Sequence, residues 1–242
     1  MTKTAAEDQP QSILAHLEEL RWRIVKSAIA IVVGAVIALV FADQIRAVLV
    51  KPYDLAVPGN PGVIALTPTE QFGVLMRIAF FGGLVIASPV VFYQIWAFVN
   101  PALTKREKRW AVPIVSAFVL LFLAGIAFAF WILPRGLAFL LTIFDDVQSQ
   151  LRIGDYFSFV IRFLLVFGVA FQYPVFLFAV AAAGLITARQ LARGRRWAIL
   201  IIVVVGAMIT PTGDPLTLLA LSVPLYLFYE ITYWLVRLVL RR

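Results

Sequence analysis

Ionisable side chains are few in this sequence, and their types narrow the chemistry available. The 242 residues hold 21 Lys and Arg, 13 Asp and Glu, one His and no Cys. Without cysteine there is no disulfide, thiolate metal site or cysteine nucleophile. A metal centre or acid–base pair needs clustered His, Asp and Glu, yet His16 stands alone and no long apolar stretch contains an aspartate. Phosphate-loop and dinucleotide-binding glycine motifs are absent. No enzyme activity, cofactor or metal is expected, which weighs against a membrane enzyme such as an intramembrane protease.

What remains is ion pairing. In His16-Leu17-Glu18-Glu19-Leu20-Arg21, Glu19 also lies one helical turn before Arg23, an i,i+4 pair worth a few tenths of a kcal/mol. A second acid, Glu107, is isolated among Lys105, Arg106, Lys108 and Arg109, a placement that asks for a partner. Glu230 stands two turns before Arg237 and reads as a solvated acid near an interface. Asp214 precedes Pro215 as a turn residue.

The elements that carry these residues must sit in lipid. The chain is 62% hydrophobic and 14% charged, whereas soluble domains run near half apolar and roughly a quarter charged. Six Trp, seven Tyr and 20 Phe suit aromatic belts at membrane interfaces. A spanning helix needs about 20 apolar residues, which predicts spans over 24–42, 72–98, 110–133, 156–185, 198–212 and 216–236. The first run is too long for a signal-peptide core and reads as a retained span. Segments 51–71, 99–109, 135–155, 187–197 and 210–215 connect them, and residues 1–11 are expected to be disordered. The whole chain, 1–242, is then one integral-membrane domain without internal repeats.

Basic residues orient it. With the N-terminus inside, the cytosolic segments hold Lys3, Arg21, Arg23, Lys26, the 105–109 cluster, Arg189, Arg193, Arg195, Arg196, Arg237, Arg241 and Arg242. The opposite side holds Arg46, Lys51, Arg135 and Arg152, with Arg77 and Arg162 just inside spans and read as snorkelling outward. The net charge of +8 therefore reports topology and anionic-lipid contact, not a nucleic-acid site.

The fifth span is short: its apolar run, 198–209, covers about 18 Å at 1.5 Å per residue. The sixth, interrupted by Pro224, covers about 22 Å from Pro215 to Glu230. Either flanking polar residues complete two ordinary spans, or the bilayer thins or a concave face forms there. The fold expected is an all-α polytopic membrane protein of six transmembrane helices. Both termini are cytosolic, and the bundle is concave and receptor-like with short fifth and sixth helices.

At the cytosolic surface, Ile13, Leu17, Leu20 and Ile24 recur at helical spacing around the His16–Arg21 motif. A longer stretch runs Ala87-Ser88-Pro89-Val90-Val91-Phe92-Tyr93-Gln94-Ile95-Trp96-Ala97-Phe98-Val99-Asn100-Pro101-Ala102-Leu103 and continues to Arg109. It sets a proline kink, an aromatic girdle and a proline-broken basic loop in series. With Pro52, Pro68-Thr69-Glu70-Gln71-Phe72, Phe167-Gly168-Val169-Ala170-Phe171 with Pro174, and Thr210-Pro211 with Asp214, the order and spacing resemble the TatC family. That family supplies the multi-span subunit of the twin-arginine protein translocase.

The resemblance implies a Sec-independent translocase subunit in a bacterial-type cytoplasmic (inner) membrane. It implies recognition of twin-arginine signal peptides on folded cargo, assembly with TatA-type and, where present, TatB-type single-span subunits, homo-oligomers within the complex, and drive by the proton-motive force. Glu19 and Glu107 match the family's positions for the arginine contact, where a guanidinium fork pairs bidentately with a carboxylate. Arg21 and Phe98 accompany them, with the signal's apolar stretch along a groove near Phe98. Pro52, Glu70, Pro89, Gln94, Pro101, Gln172 and Asp214 are further candidates. Family members often carry glutamate where Gln172 stands. Glutamine cannot titrate, so it takes away any proton a mechanism would place there; it is left to hydrogen-bond within the bundle, at the Pro174 kink, or to a partner helix. The competing function is a secondary transporter or channel for a small solute, which would favour repeats and mid-depth titratable groups.

Overall fold

A computed structural model of the chain describes residues 13–59, 62–99, 111–142, 150–182, 184–209 and 214–240. They form eight α-helices: α1 (Ile13–Val40), α2 (Ala42–Ala56), α3 (Pro68–Val99), α4 (Ala111–Leu141), α5 (Ile153–Ala170), α6 (Tyr173–Ala182), α7 (Ala188–Ile209) and α8 (Pro215–Leu235). A π-helical turn, Val236–Leu240, follows α8. In a hydrocarbon solvent a helix satisfies its backbone polar groups within the segment, so apolar runs of this length have no other economical form.

Among the described residues, five stretches are long and apolar enough to cross a membrane: Leu14–Val40, Pro68–Phe98, Ile114–Leu141, Ile153–Ala182 and Pro215–Leu238. Six were expected. The helix that falls short is α7, whose first half carries Arg189, Arg193, Arg195 and Arg196. By contrast α8 runs through Pro224 for 21 residues, about 31 Å, so the expectation of a short last span is corrected. Asp214 caps it: Oδ1 accepts the Thr217 N–H at 2.8 Å, Pro215 occupies the first turn, and the whole residue is buried. Its polar, turn-like position is thus a helix start. Residues 210–213, the remainder of that hairpin tip, lie outside the described residues, as do 1–11.

α2 is an element the apolar runs did not announce. Segment 42–56 carries charges and Pro52, so it lacks a spanning run. It is amphipathic instead: Leu49, Pro52 and Tyr53 are buried while Asp43, Arg46, Lys51 and Asp54 are exposed. The inward face meets α5, where the Tyr156 hydroxyl donates to the Leu49 carbonyl at 2.7 Å. α4 likewise passes its expected end at residue 133 and continues through Pro134 and Arg135 to Leu141, because Leu133, Gly136 and Leu137 are buried against its neighbours. Arg135 folds back over the Trp131 ring, 4.3 Å from its centroid.

Two proline sites show how freed carbonyls find donors. Pro89 cannot donate to the Val85 carbonyl four residues earlier. The Ser88 hydroxyl does so, at 2.8 Å, and α3 stays one helix of 32 residues. Before Pro174 the helix of the expected span 156–185, which remains one apolar stretch over Ile153–Ala182, is interrupted between α5 and α6. There the Gln172 N–H turns to the Val169 carbonyl at 3.0 Å, and the Gln172 side-chain Nε2 donates to Gly168 O at 3.2 Å. The side chain replaces the donor that the break withdrew.

α5 is the hub of the core. Tyr156, Phe157, Val160, Phe163, Leu164 and Phe167 are buried on it, packed on Val74, Ile78 and Phe81 of α3, Leu133 and Leu137 of α4, and Leu221 of α8. A second cluster joins α6, α7 and α8 through Ala181, Leu191, Tyr229 and Tyr233. The most extensive pairing is α1 with α3. It depends on small residues that let backbones approach: a Cβ placed on Gly83 would stand 2.6 Å from the Ala35 nitrogen.

Candidate functional site

The ends of α1 and α3 that carry His16 and Phe98 bring the expected ligand-binding residues together. Helical spacing puts His16, Glu19, Leu20 and Arg23 on one face of α1, turned toward α3. Glu19 Oε1 accepts from Arg23 Nε at 3.0 Å and also from Arg23 Nη2. The other carboxylate oxygen, Oε2, has His16 Nδ1 at 3.7 Å. Arg23 reaches across to α3, where its Nη1 donates to Gln94 Oε1 at 3.3 Å. One turn beyond Gln94, the Phe98 ring stacks on His16 with centroids 4.5 Å apart and planes 9° apart.

Below this polar rim lies a groove of about 350 Å³ between the two helices. Leu20, Ile24, Ala28 and Ile31 line one wall and Val91, Ile95 and Phe98 the other, with Arg23, Ser27 and Gln94 at the polar edge. A carboxylate offers about four lone-pair sites. Arg23 takes up Oε1 with two nitrogens, and His16 stands beside Oε2. The arrangement therefore suits a ligand with a guanidinium head and an apolar continuation.

Of the residues expected here, Glu19, Gln94 and Phe98 converge. Arg21 does not: it is exposed, two residues from Glu19 and so on another face of α1. Glu107 and Pro101 lie outside the described residues. His16 and Arg23 were not among the expected site residues, although their i,i+3 and i,i+4 spacing to Glu19 was the available signal.

The other candidates have structural partners. Glu70 pairs through Oε1 with Arg152 Nη2, and its Oε2 accepts the Leu66 N–H at 3.1 Å. This hydrogen-bonded carboxylate raises the Arg152 pKa above its usual value. The backbone completes the clasp, with Ile64 N donating to Leu151 O at 3.0 Å and Ile153 N to Ile64 O at 2.8 Å. Glu70 thus ties the loop before α3 to the start of α5. Arg77, read as snorkelling, donates to the Gly154 carbonyl at 3.4 Å beside this clasp; Arg162 is exposed on α5. Pro52 is buried in α2, and Pro89 and Gln172 hold the backbone positions described above.

Glu230 is the clearest correction. Instead of standing solvated, it accepts Arg195 Nε at 2.7 Å and Nη2 at 2.8 Å from α7, and the Tyr226 hydroxyl at 3.0 Å. The Arg195 guanidinium also lies 4.6 Å over the Tyr233 ring, so a fork and a ring clamp α7 to α8. Among the described residues, no group of three or more His, Asp or Glu is placed to hold a metal ion.

Several membrane-length apolar helices around one aromatic core define an all-helical polytopic membrane protein. Residues 15–224 match the family model of the Sec-independent protein translocase protein (TatC). The TatC protein of Aquifex aeolicus (strain VF5) is 40% identical over 231 residues, covering 94% of this chain and 95% of that protein. The TatC protein of Carboxydothermus hydrogenoformans (strain ATCC BAA-161 / DSM 6008 / Z-2901) is 33% identical over 235 residues, covering 96% of each. A crystal structure of the twin arginine translocase receptor TatC in DDM superposes with a TM-score of 0.78 at 39% identity, covering 92% of this chain and 100% of that one. The chain belongs to the TatC family.

Proposed function

We propose that this chain is the receptor subunit of a twin-arginine, Sec-independent translocase in a bacterial-type cytoplasmic membrane. It recognises the Arg-Arg pair of a signal peptide on folded cargo and nucleates an export complex with TatA-type and TatB-type single-span subunits and further copies of itself. The proton-motive force drives that complex. The observation that carries this reading is the Glu19 carboxylate, held by a guanidinium fork beside an apolar groove that Arg23, Gln94 and Phe98 line. One arginine of the signal pairs with Glu19, the other with Glu107, and the signal's apolar stretch lies between α1 and α3 against Phe98. Arg21 belongs to the surrounding basic face, which repels cations at a distance and makes the two acids the local attraction.

The same reading treats the chain as one integral-membrane domain with six crossings and both termini cytosolic, α7 being the short crossing. The arginines that open α7 support this, since they would share the cytosolic side with Arg21 and Arg23. The apolar part of α7, residues 197–209 after its arginines, supports a thinned or concave membrane face there.

The test is peptide capture by the purified chain in lipid nanodiscs. A labelled peptide with Arg-Arg before an apolar stretch should bind, and its Lys-Lys counterpart should not. Losing a charge-assisted hydrogen bond costs about 1.5–3 kcal/mol, so Glu19→Gln should weaken capture about 10- to 100-fold. Undiminished Arg-Arg binding in a Glu19→Gln/Glu107→Gln double variant would sink the assignment.

A further inference from the structure

The acid assigned to the incoming arginine already holds an arginine. Arg23 meets Glu19 with the same fork, Nε and Nη2, that a ligand arginine would present. Its third nitrogen, Nη1, is anchored on a different helix by Gln94. Both residues line the groove that the ligand would enter, and the Arg23 side chain is 21% exposed and that of Glu19 27%. A plain surface i,i+4 pair has no such cross-helix tether and closes no groove.

We infer that Arg23 is a resident stand-in for the ligand's arginine, and that binding is an exchange in which the ligand guanidinium takes Glu19 and Arg23 withdraws to Gln94. This inference rests on the receptor reading above and names the residue that competes for its acid. Gln94 gives the exchange its second state: the displaced guanidinium keeps an acceptor rather than standing unpaired at an apolar wall, which would be costly. Discrimination comes from the freed carboxylate's own contact with the ligand. A guanidinium can replace a guanidinium bond for bond, whereas a lysine ammonium is a compact, strongly hydrated charge that cannot reproduce the planar fork. Either ligand must break the two Arg23 bonds to Oε1, and only a guanidinium rebuilds both. Occupancy by Arg23 lowers the apparent affinity for every ligand by the same factor, set by the fraction of sites already taken.

The deciding variant is Arg23→Lys, which keeps the charge and removes the fork. Capture of Arg-Arg and Lys-Lys peptides is measured in nanodiscs for the wild type, Arg23→Lys, Arg23→Gln and Glu19→Gln. Exchange predicts that Arg23→Lys binds the Arg-Arg peptide about 2- to 10-fold more tightly, the range from an exposed i,i+4 pair to a well-held one. The competitor scales both peptides alike, so the Arg-over-Lys ratio should stay the same. Arg23→Gln should tighten capture of both peptides as well and, measured at high salt where repulsion is screened, carries the test if the lysine variant does not fold. Repulsion between Arg23 and a cationic peptide persists in Arg23→Lys, so unchanged or weaker capture of the Arg-Arg peptide in that variant, or in Arg23→Gln at high salt where the lysine variant does not fold, overturns the inference. Retained binding in Glu19→Gln would instead overturn the receptor reading itself, so the two failures are distinguishable.

Discussion

Replacing Gly83 with alanine adds one methyl group where α1 and α3 come closest. An ideal Cβ there stands 2.6 Å from the Ala35 nitrogen, 2.8 Å from its Cα and 2.8 Å from the Ile31 carbonyl oxygen. All three are backbone atoms, so no side-chain rotation relieves the clash. Restoring ordinary contact, about 3.5 Å for such atoms, requires the helices to part by nearly an ångström at this level. Overpacking of this kind costs about 1–3 kcal/mol. The helix propensity of alanine over glycine returns up to about 1 kcal/mol. A net loss of about 1–2 kcal/mol should lower the melting temperature by roughly 2–8 °C for a chain of this size. Because Ile31 also lines the groove, the same displacement should weaken peptide capture. Gly73 is the internal control. It lies on the same helix, but a Cβ there meets nothing closer than the flexible Arg77 guanidinium at 3.7 Å, so Gly73→Ala should be neutral or slightly stabilising. Melting is followed in detergent by loss of the monodisperse chromatographic peak, alongside capture of the Arg-Arg peptide. If Gly83→Ala and Gly73→Ala melt together and bind alike, close backbone approach is not what sets the α1–α3 interface.

Two further outcomes follow from buried polar contacts. Gln172→Leu removes the donor to Gly168 O and leaves that carbonyl unpaired in a buried helix break, at a cost of about 1–3 kcal/mol. Melting temperature should fall while Arg-Arg capture stays intact, and lost capture with unchanged melting would refute this purely structural role. Arg195→Glu or Glu230→Arg alone should loosen the α7–α8 clamp and increase proteolysis near residues 188–195, while the charge-reversed double variant should recover much of the protection. Equal protection in all three would show that the aromatic contacts alone hold the pair.

The sequence by itself determined the solvent, the helical class and the order of the apolar helices. Lipid imposes one requirement that composition reveals directly: about 20 consecutive apolar residues with their backbone satisfied internally. It also placed Glu19 within reach of Arg23, because i,i+4 geometry is local. Local rules stop where a neighbour supplies the missing partner. α2 carries charges and a proline, and its apolar stripe acquires meaning only against α3, α4 and Tyr156 of α5. Pro89 and Pro174 look alike in sequence, yet one leaves α3 continuous while the other coincides with a break, and nearby donors, Ser88 and Gln172, serve the freed carbonyls differently. Arg23 with Gln94, Glu70 with Arg152 and Glu230 with Arg195 are pairs separated by 71, 82 and 35 positions. An apolar run specifies neither the rotation nor the depth of a helix. Those are set by packing, here by Gly83 against Ala35 and by the aromatic face of α5, and only they decide which charges meet.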